Sequence, residues 1–149
     1  MWPEASTPAL YLLGNDLVAV ERLLKPCQRY GQKAYATCLT PTEHAYVWAA
    51  SSLAHTTERL ASRLAAKEAT AKALGVGLRG LGLAHSPNLQ ATALLWREIE
   101  VVKDEAMAQP RLVLHGQAAR LAQQLGLRGS CLALSHQGGL ALATVLFWR

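Results

Sequence analysis

The stretch from residue 57 to 74 constrains this chain more than any other. Its apolar positions recur at helical spacing, and Gly75 follows as the residue type that ends a helix most readily. Beyond the irregular connection Gly75 to Asn88, which holds four glycines and Pro87, the period drops to two. Glu98-Ile99-Glu100-Val101 alternates and Arg111-Leu112-Val113-Leu114 is a second short run, predicting adjacent antiparallel strands joined around Pro110. Residues 117–125 read as a helix stopped by Gly126, and strands over 131–135 and 140–146 flank Gly138-Gly139, a hairpin signal. Helices followed by largely antiparallel strands make an α+β chain, expected as a small single domain with its sheet packed against helices. At 149 residues there is room for one ordinary domain, placed over 9–149 behind a loose lead-in at 1–8.

The first half supplies further elements. Residues 9–13 form an apolar run ending at Gly14, a buried strand with Asp16 at its exit. Leu17, Val20, Leu23 and Leu24 predict a helix to about Lys25, capped by Asp16 and interrupted by Pro26. Thr40-Pro41-Thr42-Glu43 combines a capping-box threonine, a proline at the first helical position and a glutamate at the third, predicting a helix over 41 to about 53.

Composition sets the function classes. Hydrophobic residues make up 51% and charged ones 17%, so the chain can bury a core. Fifteen Lys+Arg against ten Asp+Glu give +5, which favours a polyanionic partner without choosing among nucleic acid, phosphorylated cofactor and acidic protein. Cys27, Cys38 and Cys131 lack CxxC spacing and read as reduced, structural thiols. With neither a signal-like start nor an apolar run long enough to span a bilayer, a cytoplasmic protein without a membrane partner is expected.

Leu60, Leu64, Glu68 and Lys72 recur every four residues and share one helix stripe. Two readings stand: an exposed Glu68–Lys72 pair worth roughly 0.2–0.5 kcal/mol, or a partly buried carboxylate held for a metal or proton beside a cation for phosphate. Asp16 is either a helix cap or an acid presented to a cleft, and with Glu68 it would suit a hard cation such as Mg2+. Gly75-Val76-Gly77-Leu78-Arg79-Gly80 spells GxGxxG but follows a helix, so it is not read as a dinucleotide fingerprint. Arg22, Lys25, Arg29 and Lys33 form a basic run without acids, while His44, His55, His85 and His115 show no ligand spacing and read as surface or packing residues.

The stretches Leu13-Gly14-Asn15-Asp16-Leu17 and Leu64 to Gly75 resemble the two signature motifs of holo-acyl-carrier-protein synthases, the small 4'-phosphopantetheinyl transferases. Leu39-Thr40 with Glu43, Glu98-Ile99-Glu100-Val101 and Ser135-His136 extend the similarity over about Gly14 to Val145. The resemblance implies transfer of phosphopantetheine from coenzyme A to a serine of an acidic apo carrier protein, releasing adenosine 3',5'-bisphosphate. It implies Asp16 and Glu68 as Mg2+ ligands, and Glu68 and Lys72 as catalytic residues: Lys72 on the transferring phosphate, Glu68 or a water on the metal taking the serine proton. Arg63, Lys72, Gly75, Gly77 and His136 would line the coenzyme A site, and Arg22 and Arg29 would meet the carrier. The expected setting is lipid metabolism, with fatty-acid and polyketide carriers both open.

Two departures stand out: Leu12 where the family often has glycine, and Ala108-Gln109-Pro110 in place of a Gly-Lys-Pro turn, which removes a cation. The segment 78–95 is also longer than the family's usual connection. The competing readings are a degenerate member kept as an interaction module and a small basic nucleic-acid-binding domain. Against the latter, the chain has one Phe and no strand with an aromatic-glycine-basic run. The strand from Leu140 to Trp148 is apolar at all but one position, so its sheet needs cover on both faces, and a homo-oligomer, by resemblance a trimer, is expected.

Overall fold

In a computed structural model of the chain, residues 10–78, 94–104 and 106–149 are described. The lead-in at 1–8, Gly80, His85 and most of the 78–95 connection lie outside them. Strand β1 (Tyr11–Ala19) runs antiparallel to β5 (Leu140–Trp148), with Tyr11 opposite Trp148 and Ala19 opposite Leu140. The other edge of β5 pairs with β4 (Gly129–Gln137), giving the order β1-β5-β4. Gly138 and Gly139 join β4 to β5 with φ of 59° and 76°, the left-handed pair that a two-residue hairpin turn needs. A second hairpin, β2 (Ile99–Asp104) with β3 (Gln109–Leu114), sets β3 beside β4.

Helix α3 (Leu53–Leu74) lies across one face of the three-stranded sheet. Its Ala65, Ala66 and Ala69 are fully buried, as are Ala141, Ala143 and Val145 of β5. Small residues let helix and sheet approach closely. At Gly14 the approach is closest: an added Cβ would collide with the Ala69 carbonyl oxygen and stand 2.8 Å from the Ala73 nitrogen. Helices α1 (Glu21–Tyr30) and α2 (Pro41–Trp48) border α3, and α4 (Gly116–Gln124) follows β3.

The structure corrects several element boundaries. β1 does not end at Gly14 but continues to Ala19, because β5 offers a partner along its whole length. Asp16 therefore sits inside a strand, and α1 starts at Glu21 behind Val20, with no side-chain cap. Pro26 lies within α1 and does not interrupt it. One missing N–H costs one helical bond, while the buried Leu23 and Cys27 hold that face on the core. α2 ends at Trp48, since Ser52 accepts a hydrogen bond from the His55 amide at 3.2 Å and starts α3 at Leu53, four residues before the expected Thr57. Pro110 stands in β3 opposite Lys103, not at the turn. Ala108, which takes the place of the family's glycine, has φ of 53°, where a side chain costs roughly 1–2 kcal/mol.

The second face of the sheet carries Tyr11, Leu13 and Leu17 of β1 and Leu140, Leu142 and Trp148 of β5, all exposed. Cys131 lies on this face opposite Leu146, whereas Cys27 and Cys38 are buried thiols.

Candidate active site

Asp16 pairs in register with the buried Ala143, so its side chain points to the α3 side of the sheet. There it meets the end of the stripe on α3: Leu60 and Leu64 are buried, Glu68 is half-buried, and Lys72 is exposed. Lys72 Nζ donates to Asp16 Oδ1 at 2.6 Å and to the Asn15 carbonyl at 3.3 Å. The lysine's ion pair is thus with β1, not with Glu68 one turn away. Asp16 Oδ2 is buried and receives no N–H or hydroxyl; its polar neighbour is the Glu68 carboxyl. Burial pushes the Glu68 carboxyl up to about 7, and the adjacent Asp16 adds to the effect, against the opposing charges of Lys72 and Arg22. Gly75, at φ of 71°, closes α3 by donating its N–H to the Lys72 carbonyl at 3.1 Å, and the Gly77 carbonyl accepts from the Leu94 amide at 2.8 Å.

Two adjacent carboxyl groups, one with a buried oxygen that receives no N–H, form a donor set of hard oxygens. Among the described residues no cluster of three or more His, Cys, Asp and Glu side chains exists. Such a pair fits Mg2+, which keeps several positions for water and substrate phosphate and avoids all-protein cages.

A second group of side chains gathers in an open cleft of about 530 Å3, lined by Tyr46, His55, Arg59, Arg63, Lys103 and His136 among others. Arg63 is 7% exposed, its Nε has no partner, and burial lowers the pKa of its guanidinium. Arg63 and His136, linked by the family resemblance, do come together here. Asp16, Glu68 and Lys72 do not line this cleft. The cause is helical: five residues separate Arg63 from Glu68, about 140° around the axis. The two clusters therefore lie on different sides of α3.

Arg22, Lys25 and Arg29 lie exposed on one face of α1, a stripe completed because the helix passes through Pro26; Lys33 falls in the 3-10 turn that follows. Residue reading alone took His55 as a surface or packing residue and passed over Arg59, although His55, Arg59 and Arg63 recur every four residues, the same signal that exposed the Glu68 stripe. It also passed over Lys67. Fully buried, Lys67 Nζ donates to Glu43 Oε2 at 2.8 Å, to the Trp96 carbonyl at 3.0 Å and to the Ile99 carbonyl. Of the remaining histidines, His44 contacts the Gln32 carbonyl at 2.8 Å and His115 pairs with Glu100 at 2.7 Å, both packing roles.

A strand-borne aspartate, a half-buried glutamate and a lysine near the glycine-ended terminus of a helix gather on one side of an α+β domain. The family model described as the 4'-phosphopantetheinyl transferase superfamily matches residues 12–135. Among curated relatives, the holo-[acyl-carrier-protein] synthase of Chloroflexus aggregans is 44% identical over 135 residues, covering 91% of this chain and 93% of that protein. Its counterpart from Herpetosiphon aurantiacus is 40% identical over 137 residues, covering 92% and 98%. Among solved structures, the ACPS–CoA complex of Chronobacterium ammoniagenes superposes with a TM-score of 0.70 at 29% identity, covering 93% of this chain and 96% of that one. The chain belongs to the 4'-phosphopantetheinyl transferase superfamily and, within it, to the holo-acyl-carrier-protein synthase family.

Proposed function

We infer that this chain is a holo-acyl-carrier-protein synthase that moves 4'-phosphopantetheine from coenzyme A to a serine of an acidic apo acyl carrier protein, releasing adenosine 3',5'-bisphosphate. The observation that carries the reading is the meeting of two carboxyl groups, Asp16 and Glu68, close enough to raise the pKa of Glu68, with Lys72 at 2.6 Å from Asp16. Asp16 and Glu68 would hold Mg2+, which neutralises phosphate charge when bound. Lys72 has its ammonium largely in solvent and would turn to the transferring phosphate once Asp16 is engaged otherwise. The nucleophile comes with the carrier, so no serine or cysteine of this chain need be activated. The serine oxygen forms a bond to the phosphorus next to pantetheine, the bond from that phosphorus to the adenosine-bearing phosphate oxygen breaks, and Glu68 would take the serine proton. Mass spectrometry of an apo carrier incubated with coenzyme A, Mg2+ and this protein should find a phosphopantetheine adduct on serine; no adduct on several carriers would favour an interaction module.

The carrier would dock on α1. Arg22 is exposed there, yet its charge reaches Glu68, so a bound acidic helix would stand at the mouth of the catalytic cluster. Arg22→Glu should raise the KM for the carrier far more than that for coenzyme A, and added salt should weaken the wild-type carrier interaction likewise. Equal effects on both substrates would remove Arg22 from the carrier surface.

The working form would be a homotrimer with sites at subunit boundaries. Two observations support it: the apolar second face of the sheet, and the separation of the Asp16–Glu68–Lys72 cluster from the Arg63–His136 cleft within one chain. Light scattering at working concentration should give an oligomer, and a fully active monomer of 16.1 kDa would refute the model. Mixing inactive Glu68→Ala chains with inactive His136→Ala chains should restore activity, because some boundaries would then pair two intact half-sites.

A further inference from the structure

The ring of Tyr46 carries two guanidiniums: the Arg59 carbon Cζ lies 4.4 Å from its centroid and that of Arg63 4.1 Å. Arg59 is further tied by its Nη1, which donates to the Tyr46 carbonyl at 2.7 Å. Two like charges gathered on one ring repel each other, and desolvating Arg63 adds to the cost. Among the described residues neither arginine makes a direct ion pair, although Glu58 lines the same cleft, and the carboxylate that offsets part of the Arg63 charge, Glu43, acts only from a distance. The unpartnered Nε of Arg63 is itself buried. Such an arrangement is stable enough to persist because weakly hydrated guanidiniums stack on an aromatic face, and it becomes favourable when a dianion enters. Lys103 and His136 on the cleft wall add to the same field.

We propose that Tyr46 is a positioning residue whose ring holds Arg59 and Arg63 as a paired clamp, with Arg59 a further binding residue for a phosphate monoester. The proposal rests on the reading of this cleft as part of the coenzyme A site, where the monoester is the one on the adenosine ribose. The ring acts through the arginines and touches no reacting atom. Its loss therefore weakens capture of the phosphorylated coenzyme without slowing the bound complex.

Steady-state kinetics with coenzyme A and with dephospho-coenzyme A, which lacks the ribose phosphate, test it on the full-length protein. Tyr46→Leu is expected to raise the KM for coenzyme A about tenfold, with kcat within about twofold and the KM for dephospho-coenzyme A unmoved. Tyr46→Phe keeps the ring and loses only the hydroxyl's hydrogen bond to Arg63, so it should stay far closer to wild type than Tyr46→Leu, and Arg59→Gln should shift the same KM several-fold. Equal effects of Tyr46→Leu on both coenzymes, no rescue by phenylalanine, or an unchanged Arg59→Gln would each overturn the proposal. If Tyr46→Leu does not fold, Tyr46→Phe and Arg59→Gln decide alone. A wild-type protein that fails to distinguish the two coenzymes would instead overturn the reading of the cleft, and the proposal with it.

Discussion

Lys67→Ala is expected to lower the unfolding free energy by about 3–5 kcal/mol, the cost of leaving the partner of a buried ion pair uncompensated. The three N–H bonds of Lys67 are all used: by Glu43 Oε2, by the Trp96 carbonyl and by the Ile99 carbonyl. Glu43, 1% exposed, also accepts from the Thr40 amide at 2.9 Å and, through Oε1, from the Val101 amide at 2.8 Å. One buried pair thereby fastens the start of α2, the middle of α3 and the start of β2. Removing the ammonium strands two carbonyls and a carboxylate in the interior. Burial pulls the pKa of Lys67 down, and the adjacent Glu43 charge opposes that shift. Urea unfolding at fixed protomer concentration is the measurement. Glu43→Gln should cost less than Lys67→Ala, because an amide oxygen still accepts from the backbone. A loss below about 1 kcal/mol for Lys67→Ala would place this pair with exposed ones.

What the sequence made legible was local. Thr40-Pro41-Thr42-Glu43 forms a full capping box, Gly75 ends α3, and Gly138-Gly139 turns the last hairpin, since each is decided by the backbone needs of a few residues. The extent of β1 was not legible, because Asn15 to Ala19 become strand only through partners in β5 more than a hundred residues away. Lys67 was likewise hidden. Its partners lie 24, 29 and 32 positions off, and from its own neighbours it is one more charged residue on a helix.

At the site, Glu68 and Lys72 were legible as a stripe, but stripe chemistry alone favoured a surface pair. The register of β1 separates the two readings. By placing Asp16 on the α3 side it takes Lys72 for an ion pair and leaves Glu68 half-buried beside a second carboxylate. The family resemblance anticipated that meeting. It did not anticipate Tyr46 under Arg59 and Arg63, because neither an arginine nor a tyrosine at those positions signals a contact between α2 and α3.

Asp16→Ala and Glu68→Ala should each reduce phosphopantetheine transfer about a thousandfold while leaving the fold intact, given that losing metal charge neutralisation costs several kcal/mol of barrier. Neither side chain is packed in the apolar core, and near wild-type turnover with ordinary Mg2+ dependence in either variant would remove both residues from the metal site. The pH dependence gives a second test independent of turnover. With its pKa at about 7, against an ordinary 4.5, Glu68 keeps its proton in the cation-free fold where the unfolded chain has lost it. Between those two pKa values the folded state binds more protons, so cation-free stability falls as pH rises. A Mg2+ ion held by both carboxylates would need them ionised, so its binding would displace that proton below pH 7. Apparent Mg2+ affinity should therefore climb about tenfold per unit as pH rises toward 7 and then level off, with proton release seen by calorimetry in buffers of different ionisation enthalpy. Asp16→Asn removes the neighbouring charge that helps to hold Glu68 protonated, and should move the bend in that profile to lower pH even as affinity drops. A profile flat from pH 5.5 to about 8 would mean that the cation does not engage Glu68.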